Sequence, residues 1–163
     1  MRRLLVAFAA LASLLALATV QADTPPEAST AGVNHTFAGV RDQHSSFTVK
    51  DFGPDAGPAD VDTGNISFHD LTNGFNYNAD VTCVMVFNGN QAKFAHQIPP
   101  GNPDAGQWIL YAAKDGGEPG TNGDELSTFF TGFDEAFACS LVNGGFFPAS
   151  PNQTITGGNI QVR

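Results

Sequence analysis

The chain has 163 residues, with 7 Lys and Arg against 16 Asp and Glu, a net charge of -9 and 2 cysteines. Nucleic acid and anionic membrane surfaces both demand clustered Lys and Arg, and here Arg41, Lys50, Lys93, Lys114 and Arg163 stand singly, which argues against either partner. A single domain of this size buries about two thirds of the surface its unfolded chain exposes.

The first segment in chain order reads as an export leader. Arg2 and Arg3 precede an apolar or small-residue run from Leu4 to Ala18, and Val20-Gln21-Ala22 places small residues where a signal peptidase cuts. The run is too short to span a bilayer, so residues 1–22 are expected to be removed after Ala22, leaving a soluble secreted chain, extracellular or periplasmic, that starts at Asp23. Loss of Arg2 and Arg3 reduces the 7 basic residues to 5 against the same 16 acids. Residues 23–32 lack periodicity and read as a flexible lead-in to one domain over 33–163.

Val33 to Val40 and Ser45 to Phe52 read as strands, and a meander follows between Asn65 and Ile98. Phe75, Tyr77, Ala79, Val81, Cys83, Met85 and Phe87 fall at every second position, the period of a strand with one buried face. Asn88-Gly89 suits both positive-φ centres of a two-residue hairpin turn, which sets Val81 opposite His96, Cys83 opposite Phe94, Met85 opposite Ala92 and Ala79 opposite Ile98. A second turn at Asn73-Gly74 sets Phe68 opposite Ala79 and Ile66 opposite Val81. Both turns give the same inward face, with Val81, Cys83, Met85, Phe94 and Ile98 together and Val84 on the opposite, open side beside Lys93.

Gln107 to Ala113, Leu126 to Thr131, Phe137 to Leu141 and Thr154 to Val162 are further β-rich runs separated by Gly, Pro and Asp clusters, and no segment shows a helical stripe. The fold class is therefore all-β: one antiparallel domain of about eight strands, a barrel being favoured slightly over a two-sheet sandwich. Cys83 and Cys139, the only cysteine pair of an exported chain, are expected to form a disulfide.

Val81-Thr82-Cys83, the loop Asp115-Gly116-Gly117-Glu118, and the ending Gly158-Asn159-Ile160-Gln161-Val162 resemble a family of small exported bacterial β-domain proteins of unassigned function, over roughly residues 33 to 162. The resemblance implies a single exported β domain and brings no catalytic motif with it.

Candidate sites are sparse. Asp115, Glu118, Asp124 and Glu125, interleaved with glycines, could hold Ca²⁺ through hard oxygen ligands, though a solvated acidic loop explains them as well; no other cofactor is expected. Asp55, Asp60 and Asp62 make a weaker case of the same kind. Tyr77 and His96 share a face with Phe68 and Phe94, and in a barrel they could line a cavity for a small apolar or aromatic ligand. The sequence carries no GxSxG or HExxH motif. A secreted, non-catalytic binding or surface-interaction module is the leading functional expectation, a ligand-carrying barrel the alternative and an extracellular enzyme the third. A filled core with an exposed aromatic patch would favour the module, an internal cavity of several hundred Å³ the carrier, and a cleft with paired carboxylates or a His and carboxylate in contact the enzyme.

Overall fold

The computed structural model describes residues 24–53, 62–117, 123–144, 148 and 150–163. The leader expected over residues 1–22 lies outside these. Nine strands form in chain order: β1 (Glu27–Phe37), β2 (Arg41–Lys50), β3 (Thr63–Asp70), β4 (Phe75–Phe87), β5 (Gln91–Gln97), β6 (Trp108–Lys114), β7 (Glu125–Gly132), β8 (Gln153–Gly158) and β9 (Gln161–Val162), with one helix, α1 (Glu135–Asn143), between β7 and β8. Every pairing is antiparallel. β1 pairs with both β2 and β8, which closes an eight-stranded barrel, and β9 adds a short extra strand against Ala28 and Ser29. This is the all-β barrel that the alternation and turn spacing anticipate.

The segment read as a flexible lead-in is strand from Glu27 onward. Glu27 to Thr30 pair with Lys50 to Phe47, and Ala28 is wholly buried. Its pattern escapes a period-two reading because a bulge between Thr30 and Val33 interrupts the alternation. Gly158 lies against this bulge: at φ 99° a Cβ there would collide with the Gly32 carbonyl oxygen, so only glycine allows β8 to approach.

The β3–β4 turn is longer than expected. Asp70 pairs with Phe75 across a four-residue turn, so Phe68 faces Tyr77 and Ile66 faces Ala79. The cause is the buried Asp70 carboxylate, which accepts from the backbone N–H groups of Thr72 and Asn73 and from Asn73 Nδ2. A shift of two residues keeps parity, so the inward face survives.

The β4–β5 hairpin departs further. Asn88 and Gly89 adopt positive φ, 55° and 74°, as the turn chemistry requires. The ladder nevertheless opens at Phe87 with Gln91, because Asn90 bonds instead to the backbone of Asp115 on the neighbouring connection. Cys83 therefore faces Ala95, Val84 faces Phe94 and Met85 faces Lys93, until a bulge at Thr82 restores the expected partnership of Val81 with His96. That bulge moves Cys83 and Met85 to the outer face of the barrel and brings Val84 inside, where it is 3% exposed. Val81, Phe94 and Ile98 remain in the barrel core.

Residues 137–141, read as a strand, belong to α1. Asp134 caps the helix by accepting from the Phe137 N–H, and Glu135 lies in its first turn where the helix dipole favours an acid. Only Ala138 and Val142 are fully buried, one residue per turn, which is too narrow a stripe to stand out in the sequence. The helix covers the outer face of β4–β6, its Ala138 and Val142 packing with Cys83, Ala95, Trp108, Leu110 and Ala112. Cys83 and Cys139 form the disulfide that pins it there. Lys93 completes the attachment by donating from Nζ to the carbonyls of Leu141 and Gly144 at 2.9 and 2.8 Å, a cation at the helix C-terminus.

Candidate functional site

The barrel interior is filled from the middle to its mouth by stacked rings. Phe47 and Phe94 lie 4.9 Å apart, Phe94 stacks on Tyr111 at 5.2 Å, and Tyr111, His96, Tyr77, Phe68 and Phe75 continue the column at 5.2 to 5.9 Å. Tyr77 and His96 are thus brought together as expected, with Tyr77 Oη 3.0 Å from His96 Nε2, but as core residues. Burial pushes the His96 pKa down to about 3 and the phenols of Tyr77 and Tyr111 above their ordinary range. His96 Nδ1 has no hydrogen-bond partner among the described residues. An unpaired buried ring nitrogen costs about 1–3 kcal/mol, which the packing of the column must offset.

A second polar chain runs beside the rings. His35 Nδ1 lies 2.8 Å from Gln153 Oε1, His35 Nε2 2.9 Å from Ser45 Oγ, and Ser45 Oγ 3.3 Å from Tyr111 Oη. With Gln153 Oε1 accepting, His35 is a neutral imidazole protonated on Nδ1, and burial holds its pKa below the usual value. The spacing is that of a nucleophile, a base and an orienting group. Ser45 and His35 are 0% and 1% exposed, however, so the hydroxyl meets no substrate and the chain serves as a satisfied core network. Sequence reasoning missed it because its members come from β2, β1 and β8 and no local motif joins them.

Above the column the mouth retains a cavity of about 120 Å³, lined by Phe37, Phe68, Phe75, Tyr77, Tyr111 and Phe130 with Arg41, Gln43 and Asp104 also on its wall.

The acidic candidates are engaged elsewhere. Asp124 accepts from Gly116 N–H and Ile160 N–H, both at 2.8 Å, and Asp115 accepts from Gly117 N–H and Val162 N–H. Glu125 pairs with Lys114, and Glu118 lies outside the described residues. Asp62 and Asp51 act alike at the other long connection, accepting from Val84 N–H and Val86 N–H where β3 no longer reaches β4; Asp55 and Asp60 lie outside the described residues. These carboxylates stand in for missing strand partners at the end of the barrel opposite the mouth, and no group of three or more acidic, His or Cys ligands gathers among the described residues. The described partners of His35, His44 and His96 are amides and hydroxyls.

The outer surface is different. Between α1 and β7 lies a groove of about 580 Å³ lined by Leu110, Phe129, Phe130, Phe137, Leu141 and Pro148. Phe129, Phe130, Phe133, Phe137 and Leu141 are all exposed, Phe130 at 60% and Phe133 at 71%. Large rings in contiguous exposure mark interaction surfaces. Comparison with protein-family models, with curated proteins and with solved structures finds no match for this chain.

Proposed function

We propose that this protein is an exported, non-catalytic β-barrel that binds a partner through the apolar surface between α1 and β7. The observation that carries the reading is the contrast between a filled interior and an exposed aromatic patch beside a groove of about 580 Å³. Export with cleavage after Ala22 is part of the proposal, supported by the leader pattern and by a disulfide that fits an oxidising compartment. No helix among the described residues is long and apolar enough to cross a membrane.

The carrier reading would draw on the mouth cavity, and at about 120 Å³ it is smaller than the ~150 Å³ that takes a benzene ring. The enzyme reading finds no His–carboxylate hydrogen bond among the described residues to support it. Fluorescence of 1-anilinonaphthalene-8-sulfonate on the folded, secreted protein tests the module. Bound dye is expected, and Phe129→Ser with Phe137→Ser should remove most of the signal while the melting temperature holds. No dye bound by the wild type, or a small molecule released on denaturation in equal amount from both forms, would overturn the reading for the carrier.

A further inference from the structure

Rings wall the mouth of the barrel. Phe37, Phe68, Phe75, Tyr77, Tyr111 and Phe130 all line its cavity of about 120 Å³, and the phenol oxygens of Tyr77 and Tyr111 are already engaged by His96 and Ser45. Gln43, on the inner face of β2, lines the same cavity. It is 8% exposed, and its carboxamide meets no hydrogen-bond partner among the described residues. Asp70, its ladder partner, accepts instead from the N–H groups of Thr72 and Asn73 and from Asn73 Nδ2. A carboxamide unpaired at that depth costs free energy unless a group entering the cavity bonds it. Among the described residues, one charge of each sign completes the lining. The half-exposed Arg41 holds its Nε 4.0 Å from Asp70 Oδ2, and the Asp104 carboxylate accepts from Gln107 Nε2.

From these walls we infer that the mouth binds a trimethylammonium group joined by a short methylene link to a carboxylate or phosphate. Size decides first. A cavity of ~150 Å³ takes the six carbons of benzene, so about 120 Å³ holds roughly five heavy atoms, the count of a trimethylammonium group with its methylene. Chemistry narrows the choice further. A primary ammonium would press N–H donors against ring carbon, whereas a quaternary one has no donors to satisfy and is drawn to ring faces. Asp104 balances that cation, while Arg41 and Gln43 Nε2 donate to the ligand's anion at the β2 side of the rim. A purely apolar group of the same size fits the rings and leaves Gln43 unpaired. Because its anion stays at the rim, such a ligand exchanges with solvent rather than travelling inside the fold. A free betaine and a phosphocholine headgroup share this chemistry. The site goes beyond the α1–β7 surface, with which it shares Phe130.

The test titrates the intact, dialysed secreted protein with glycine betaine, choline and 3,3-dimethylbutanoate, the last being betaine with carbon in place of its charged nitrogen. Calorimetry and nitrogen-15 NMR are the readouts. Betaine should bind and shift the carboxamide signals of Gln43. Its carbon analogue should bind at least about tenfold more weakly, since the charge over the rings is lost. Arg41→Gln should weaken betaine about tenfold and leave choline within about twofold, because choline has no anion to lose. Free phosphocholine against phosphatidylcholine vesicles separates the two sources. Binding of both makes the ligand a lipid headgroup, and binding of free phosphocholine or betaine without vesicles makes it a solute. Equal affinity for betaine and its carbon analogue overturns the inference. So does binding that shifts the Phe129 and Phe137 amides and leaves the Gln43 carboxamide unmoved, or vesicle capture without binding of free phosphocholine. No heat and no shift with any of these probes overturns it as well. All of these failures leave the α1–β7 reading standing, since the naphthalene dye reports on that surface separately.

Discussion

The barrel wall over β4–β6 and the wall at β7 are finished in opposite ways. In β5 the residues from Ala92 to His96 are all buried, and in β6 those from Trp108 to Ala113, because the ring column fills one face and α1 covers the other. β7 begins the same way, with Leu126 and Ser127 buried, and then leaves its outer rings exposed. The difference lies in what crosses each strand. The helix is tied down by a disulfide and a buried lysine at β4 and β5, whereas β8 leaves β7 after one residue pair. Buried contacts are concentrated in the covered wall.

That contrast can be broken most severely by replacing Cys83 and Cys139 with serine. Closing a loop over a separation of 56 residues stabilises by about 4 kcal/mol in the chain-entropy model, so denaturant melts should show a loss approaching that figure. An unchanged midpoint would show that α1 does not depend on its crosslink. Asp124→Ala follows. It leaves two backbone N–H donors at the root of β7 without their acceptor, the buried one at Ile160 among them, and should cost about 2–4 kcal/mol. Millimolar calcium should leave the wild-type melting temperature unmoved, since those oxygens already accept hydrogen bonds.

Acid sharpens the comparison from inside. His96 is held near a pKa of about 3 in the fold against about 6.5 when unfolded, so below pH 6.5 the unfolded chain binds the extra proton and stability falls with pH. One such group removes about 2 kcal/mol between pH 7.5 and pH 5, and His35, shifted in the same direction, adds to the loss. Melts across that range should slope downward toward acid, and a flat profile would contradict a neutral buried imidazole. Val84→Thr places a hydroxyl in the core beneath α1's strand and should cost about 1–2 kcal/mol, where an open face would have tolerated it. Phe133→Ser, on the uncovered side, should stay within about 0.5 kcal/mol.

The sequence by itself determined the all-β architecture, the pairing of the two cysteines and, in the meander, the inward placing of Val81, Phe94 and Ile98. These rest on local rules: alternation, turn residues at Asn88-Gly89, and a lone cysteine pair. The covering of both faces of β4 from Cys83 to Phe87 was not read from the sequence, which left the Val84 side open. What covers the strand was decided by tertiary structure, because a nine-residue helix with one buried residue per turn is held by its disulfide and by Lys93 from another strand rather than by its own pattern. Register was decided there too. Asn90 bonds to Asp115 on a connection 25 residues away, and that contact shifts the hairpin by one, moves Cys83 outward and turns Val84 in. The exposed rings of β7 were equally beyond local reading, since whether Phe129 and Phe130 are covered is set by where α1 and β8 pack rather than by the strand's own residues.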